Sequence, residues 1–239
     1  MKIKLSSLTL AFALACNFAF TSGFASAQES ASSRSSEDEK TIVLFDGSSL
    51  DQWRGYKNEK IGKGWKITDG ALEFDGTGGG DICTKEEFEN FELTLEWKVS
   101  KGANSGIMYR VGLGDGAPYL TGPEYQILDD ANHRDGKKDT TSAAALYALY
   151  KCEGKELKKV GEWNTTKIVH VGNKVEHWLN GKKVVSAEID SDDWKKRVNG
   201  SKFKNWKKFG TLKKGHIALQ DHGDQVWFRN IKIKVLDKE

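Results

Sequence analysis

The sequence predicts an all-β fold, either a β-sandwich or a closed barrel. About ten short runs of alternating apolar and polar residues follow one another, separated by Gly, Asn and Asp. The chain of 239 residues contains two prolines and no long stretch with helical periodicity. The dipeptides Asp69-Gly70 and Asn180-Gly181 are typical of tight hairpin turns. So many short strands in a chain of this length indicate a sandwich or barrel.

The individual elements follow from the same patterns. A helical turn is predicted at 86–90, and a short helix at 192–197 that Ser191 or Asp192 would cap, because either side chain can accept a hydrogen bond from the first turn. The predicted strands are 64–67, 71–74, 91–99, 106–111, 125–128, 143–150, 168–171, 174–179, 216–220 and 226–235.

The first 27 residues are typical of an export signal. Lys2 and Lys4 precede an apolar stretch at 5–20, and Ala-Ser-Ala at 25–27 fits a cleavage site before Gln28. Cys16 offers a lipoprotein alternative, which the sequence favours less than simple cleavage. We therefore expect an exported protein, periplasmic or secreted.

Residues 28–40 are rich in Ser and Glu and are predicted to be a disordered tether, which leaves 41–239 as the folded domain. Removing the signal takes away two lysines and no acid, so the formal net charge falls from +3 to +1. A nearly neutral chain has no general attraction for nucleic acid or anionic membrane. No second apolar run approaches the length of a membrane span.

Two cysteines, Cys83 and Cys152, remain after cleavage. In an oxidising compartment they could form a disulfide, or both could be buried free thiols, and the sequence leaves both alternatives open. No Cys/His spacing typical of a metal site is present.

The strand around residues 122–130 is the most informative stretch for function. Side chains alternate between the faces of a strand, so Tyr125 and Ile127 point one way, and Glu124 and Gln126 the other. A strand with an apolar face and this polar face indicates a sheet that covers the core on one side and forms a site on the other.

Two further strands show the same alternation. Arg110 faces away from the apolar set of 106–111, and Gln220 and His222 face away from that of 216–222. If the three strands are neighbours, these side chains converge with Glu124 and Gln126 on one surface. Together they could orient a polyhydroxylated ligand and move a proton within it.

Each of these residues also has an ordinary interpretation. Arg110 could form a surface salt bridge with Glu124, which contributes little when exposed. The two glutamines could face solvent, and His222 could belong to a turn-forming loop. The repetition on three strands favours a site.

Other candidates are weaker. Asp129 and His133 lie in the loop after the Glu124 strand, where Asp is also a common turn former. His177 shares parity with apolar neighbours, so a buried structural histidine is as good an interpretation. Asn104 could bind a sugar or form a strand-entry turn.

The segment 194–214 is rich in lysine and aromatic residues. This composition could suit single-stranded nucleic acid, but we expect the aromatic rings to pack under the lysine stems. The eight tryptophans suit carbohydrate better, because flat rings stack on sugars, although they are also common in cores.

At these residues the chain resembles the 3-keto-disaccharide hydrolase domain family. The matching motifs follow in order through the domain: LFDG at 44–47 with Trp53, NSG at 104–106 with Arg110, GPEYQILD at 122–129, GEWN at 161–164, HWLNG at 177–181, GHIALQDHG at 215–223 and FRNI at 228–231. The resemblance implies a concanavalin A-like jelly-roll sandwich with a concave sugar-binding face. It also implies action on glycosides whose C3 hydroxyl is oxidised to a ketone.

A ketone at C3 acidifies the hydrogen on C2, so a base can remove it and the enolate can expel the glycosidic oxygen. For this chemistry we expect Glu124 or His222 as base or acid, Arg110 as the stabiliser of the enolate, and Gln126 and Gln220 as groups that orient hydroxyls. Second choices for these roles are Asp129, Asp221 and His133. A divalent cation would fit this Asp-rich edge, although nothing in the spacing requires a cofactor.

Two alternatives stay open. A conventional glycosidase would use two carboxylates, such as Glu124 with Asp129 or Asp221. A glycan-binding module without catalysis could have the same sandwich, because one fold supports many functions.

Overall fold

Thirteen β-strands form two antiparallel sheets in residues 40–114 and 116–237, the part of the chain described by the computed structural model. The larger sheet has the order β11-β10-β9-β6-β13-β4-β3, and β1 also pairs with β13. Its strands are β1 (Thr41–Phe45), β3 (Trp65–Thr68), β4 (Ala71–Phe74), β6 (Phe91–Val99), β9 (Asn164–Val171), β10 (Lys174–Leu179), β11 (Lys182–Glu188) and β13 (Val226–Val235).

The smaller sheet has the order β2-β5-β12-β7-β8. It contains β2 (Trp53–Gly55), β5 (Ile82–Thr84), β7 (Asn104–Val111), β8 (Glu124–Leu128) and β12 (His216–Leu219). The two-sheet architecture confirms the predicted β-sandwich.

The core lies between the sheets. Every second residue of β6 is buried, from Phe91 to Val99, and the intervening residues are partly exposed. Tyr109, Tyr125 and Ile127 of the smaller sheet belong to the same cluster and are completely buried. Full burial of an aliphatic or phenyl side chain such as Ile127 or Phe91 contributes about 1.5–3 kcal/mol.

The register of β7 and β8 places the predicted polar residues. Met108 lies opposite Glu124, and Gly106 lies opposite Gln126. Opposite residues of an antiparallel pair share a face, so Glu124 and Gln126 lie on the same face as Met108 and Gly106. Side chains alternate along a strand, so this face is turned away from Tyr125 and the core. The alternation predicted for this strand is thus confirmed.

The hairpin and helix predictions also agree with the structure. Asp69-Gly70 has φ angles of 51° and 73°, and Asn180-Gly181 has 49° and 84°. Positive φ at both central residues is the geometry that these dipeptides favour. Helix α1 (Asp192–Asn199) is capped by Ser191, whose side chain accepts from Trp194 N at 3.1 Å.

Two predicted elements are wrong. Residues 143–150 form turns, because Ala144 and Ala148 have positive φ angles of 65° and 60° and break the alternation. This segment lies along β8 and donates Ala144 N to Gln126 O at 2.8 Å. Residues 86–90 contain bends rather than a helical turn, and Phe88 bridges to Gly215.

Cys83 and Cys152 are both free thiols. The predicted signal at 1–27, and the tether apart from Lys40, lie outside the described residues. Within the described ranges, no helix is long and apolar enough to cross a membrane.

Candidate active site

A pocket of about 230 Å³ lies on the face of the smaller sheet that is turned away from the core. Three of its side chains come from β7 and β8 and two from the segment directly after β12; short 3₁₀ segments provide three more, and a turn provides the last. The lining residues are Asn104, Tyr119, Glu124, Gln126, Tyr147, Lys202, Phe203, Gln220 and His222.

Glu124 is the acid of this pocket. Only 8% of the residue is exposed, and its carboxyl group lies over Gly106, where no side chain competes for the space. Burial raises the pKa of Glu124 to about 8; the Lys202 cation opposes this rise, and Asp81 and Asp135 add to it. Such a carboxyl can exchange a proton near neutral pH.

Three amides surround Glu124. Gln126 Nε2 donates to Asn104 Oδ1 at 3.3 Å. The backbone of Gln220 holds it beside β7. Its backbone N–H donates to Gly106 O at 3.0 Å, and its backbone carbonyl accepts from Ser105 Oγ at 2.8 Å. The Oε1 atoms of Gln126 and Gln220 are buried without a hydrogen-bond partner. Each unpaired oxygen costs about 1–3 kcal/mol, which a ligand hydroxyl would recover.

His222 lies at the entrance of the pocket. Its side chain is about half exposed, at 48%. Its Nε2 lies 3.4 Å from Asn104 Nδ2, and its Nδ1 lies 4.0 Å from Asp224 Oδ2. The same Asp224 atom accepts from Asn104 N at 3.0 Å, so the loop is attached to β7. His222 can therefore reach a ligand bound over the sheet.

Four lining residues were missed by sequence reasoning: Tyr119, Tyr147, Lys202 and Phe203. Lys202 Nζ lies 4.4 Å from the centroid of the Tyr147 ring. Lys202 and Phe203 belong to the lysine- and aromatic-rich segment 194–214, whose composition predicts only that its rings pack under the lysine stems. Tyr147 belongs to the stretch wrongly predicted as a strand. The sequence shows that these residues are aromatic or basic, but it does not show that the chain brings them to the pocket.

Arg110 does not line this pocket. Between β7 and β12 the register shifts, because the two residues between Met108 and Val111 face the single residue between Ala218 and His216. The extra residue is a β-bulge, and Arg110 there has a φ of 55°. The bulge changes the parity, so Arg110 lines a different pocket beside α1. The expected convergence with Glu124 is not observed.

Asp129 and Asp221 bind backbone N–H groups instead of lining the pocket. Asp129 accepts from Gly102 N at 2.7 Å and from Asn132 Nδ2 at 2.7 Å. Burial raises the pKa of Asp129, but these hydrogen bonds and two from loop N–H groups outweigh it and hold the pKa below its usual value. Asp221 accepts from Gly80 N at 2.8 Å and from Gly223 N at 3.0 Å.

The two remaining predicted residues also lie elsewhere. His133 caps a short 3₁₀ turn through Nδ1, which accepts from Asp135 N at 3.1 Å. His177 is completely buried between Tyr109 OH and Ala144 O, each at 3.1 Å. Burial lowers the pKa of His177 to about 4, so it is neutral at physiological pH. This is the structural interpretation considered for His177.

A second pocket of about 300 Å³ shares Tyr119 with the first. It contains Asp81, and burial raises the pKa of this residue to about 6. The negative charge of Asp221 adds to the rise. The hydrogen bond from the backbone N–H of Asp221 and the positive charge of Lys57 oppose it. Sequence reasoning did not select Asp81, because nothing in its local sequence marks it. Among the residues described, no group of three or more His, Cys, Asp or Glu side chains is arranged to hold a metal ion.

A concave pocket with a few convergent polar groups and a carboxyl of raised pKa is the usual pattern of a ligand-binding or active site. Residues 40–234 match the family described as the 3-keto-alpha-glucoside-1,2-lyase-like domain. The chain belongs to this family, as its motifs predicted, and is accordingly a glycoside-acting enzyme.

Individual relatives agree with this assignment. A 3-keto-disaccharide hydrolase of Bacteroides thetaiotaomicron is 38% identical over 227 residues, which cover 82% of this chain and 78% of that protein. A crystal structure from Parabacteroides distasonis, provisionally named a glycosyl hydrolase, has a TM-score of 0.77 and 36% identity, over 82% of this chain and 94% of the other. A second such structure from that organism has a TM-score of 0.67 and 34% identity, over 82% of this chain and all of the other.

Proposed function

We propose that the protein cleaves the glycosidic bond of 3-keto-glycosides by removing the C2 proton and eliminating the group at C1. The observation that carries this proposal is the Glu124 carboxyl, which is buried, has a pKa of about 8 and makes no hydrogen bond to the described residues. Family membership supports the substrate class, because a relative bears the name 3-keto-disaccharide hydrolase.

The chemistry begins at C2. The Glu124 carboxylate takes the C2 proton, and the electron pair moves into the C2–C3 bond to give an enolate on the C3 oxygen. The enolate then reforms the ketone, its electron pair moves into a C1=C2 double bond as the C1–O bond breaks, and the leaving oxygen receives a proton. Addition of water across C1 and C2 completes hydrolysis; without this addition the reaction is that of a lyase.

A carboxyl with a pKa near 8 suits the first step. A higher pKa makes the carboxylate a stronger base, and the C2 hydrogen is a weak acid. Lys202 lines the same pocket, so its cation can stabilise the enolate oxygen in place of the predicted Arg110. His222, or Glu124 once protonated, can supply the proton for the leaving oxygen.

The unpaired amide oxygens support sugar binding. Gln126 Oε1 and Gln220 Oε1 can each accept a hydrogen bond from a hydroxyl, and Asn104 connects Gln126 to His222. The adjoining Asp81 pocket beyond Tyr119 offers space for the second sugar of a disaccharide.

A conventional two-carboxylate glycosidase is less well supported. Glu124 is the only acid among the described residues that line its pocket. Asp129 and Asp221 each accept backbone hydrogen bonds, as described above, so neither is free to act as a second catalytic carboxylate.

The test compares a glucoside with its 3-keto derivative and measures release of the aglycone. Release from the keto sugar alone is expected. Equal release from both would favour the two-carboxylate glycosidase, and binding without release would favour a glycan-binding module. Glu124→Gln should lose the keto-sugar activity by about 10²–10⁴-fold, with an unchanged circular dichroism spectrum as the control for folding.

A further inference from the structure

A pocket of about 400 Å³ lies beside α1, apart from the Glu124 pocket, and has no role in the proposed reaction. Arg110 lines it, together with α1 and the segment that follows α1. Phe203 belongs to the wall of both pockets. The side chains that line this Arg110 pocket indicate a ligand of defined charge.

The Arg110 guanidinium is buried, and none of the described residues forms a close ion pair with it. The residue is only 2% exposed. Its hydrogen bond among the described residues runs from Nε to Leu212 O, and Nη1 is buried without a partner. Burial lowers the pKa of Arg110, and the charges of Glu89 and Asp190, which act on it from farther away than an ion pair, do not offset this effect. A buried charge in this state is destabilising unless something pairs with it.

The backbone is strained to place this side chain. The φ of 55° at Arg110 is in the left-handed region, which costs a residue with a side chain about 1–2 kcal/mol. Gly215 packs against this point: a Cβ there would lie 2.6 Å from Arg110 C and 2.8 Å from its Cα. The bulge therefore needs the glycine, and it turns Arg110 away from the sheet face that carries Glu124.

The rest of the pocket is electropositive. Lys195, Lys204, Lys207 and Lys213 line it, whereas Asp190 is its single acid among the described residues. The Oδ1 atom of Asp190 lies 3.1 Å from Lys195 Nζ, so its charge is shared between Lys195 and, at longer range, Arg110. An anionic group would thus meet a buried guanidinium and several flexible ammonium groups.

We propose that this pocket is an oxyanion-binding site in which Arg110 pairs with a carboxylate or sulfate group. The planar guanidinium donates parallel N–H groups that match the geometry of such an oxyanion. The site does not depend on the proposed reaction at Glu124. The group could belong to a free inorganic ion or to an acidic sugar, and the test separates these sources.

The test is binding of sodium sulfate, sodium glucuronate and uncharged glucose to the purified protein, with ionic strength held constant by sodium chloride. Sulfate and glucuronate should raise Tm and give saturable heat in calorimetry, whereas glucose should not. Tighter binding of glucuronate than of sulfate identifies an acidic sugar; equal binding identifies a site for small oxyanions.

Arg110→Met should abolish the binding, and Arg110→Lys should weaken it at least tenfold. Lys232→Gln on the larger sheet is the matched control for charge and should bind as the unmodified protein does. If Arg110→Met does not fold, the double variant Lys204→Gln/Lys207→Gln should still lower affinity several-fold. Absence of saturable binding, or binding unchanged by these pocket variants, would overturn the proposal.

Discussion

The carboxyl group of Glu124 occupies the space that a side chain on Gly106 would need. A Cβ atom at Gly106 would lie 2.8 Å from Glu124 Cδ and closer still to Oε1. The two residues come from neighbouring strands, β7 and β8, of one sheet. The missing side chain of one residue thus determines where the acid of the other can lie.

Gly106→Ala is expected to reduce cleavage of a 3-keto-glycoside at least tenfold, because the new methyl group must displace the Glu124 carboxyl. The measurement is kcat/KM for the variant. Gly114→Ala is the matched control, because a Cβ at Gly114 meets nothing within 4 Å. Equal activity in both variants would contradict the assigned position of Glu124.

The pH dependence of kcat/KM should report the pKa of Glu124. As a base it must be ionised, so activity should rise about tenfold per pH unit below 8 and level off above it. Lys202→Met should move the rise to higher pH, because the Lys202 cation lowers this pKa. A profile that falls as pH rises through 8 would make Glu124 the acid instead.

Glu124→Gln should make the protein more stable at alkaline pH. The folded pKa of about 8 lies above the ordinary value of 4.5, so the folded state holds the proton more tightly and stability falls as pH rises from 4.5 through 8. The loss amounts to at most about 5 kcal/mol, and the glutamine avoids it. We expect Tm of the variant to exceed that of the unmodified protein by several degrees at pH 9, and the difference to vanish near pH 4. A Tm difference of equal size at pH 9 and at pH 4 would exclude burial of the Glu124 charge as the cause.

His177 should contribute to unfolding in acid. Its folded pKa of about 4 lies below the ordinary 6.5, so the unfolded chain binds the proton first and stability falls as pH decreases from 6.5 to 4. The effect is about 3 kcal/mol at most. His177→Gln should flatten this part of a plot of Tm against pH, and an unchanged slope would contradict the assigned role of His177.

Intact-mass measurement of the protein secreted by or extracted from its host should find a chain that begins at Gln28. This follows from the Ala-Ser-Ala sequence before it. Cys16→Ser should leave both mass and location unchanged. A lipid-modified chain that begins at Cys16 would contradict the prediction.

Strand alternation was enough to predict the sandwich and the orientation of Glu124 and Gln126, because parity is a local property of the chain. It failed at Arg110, because a bulge is defined by the partner strand and not by the sequence of one strand alone. Lys202 and Tyr119 reach the pocket from short 3₁₀ segments between strands, whose position depends on tertiary packing. Asp129 and Asp221 were credible candidates, and only their backbone hydrogen bonds show how they are engaged.

The short 3₁₀ segment Lys202–Asn205 has a further consequence. Lys202 faces the Glu124 pocket, Lys204 faces the Arg110 pocket, and Phe203 between them belongs to both. A single insertion or deletion within these four residues would change the shape of both the Glu124 pocket and the Arg110 pocket and leave the strands of both sheets intact. Relatives that differ in length at this segment are therefore where divergence in substrate preference should be sought first.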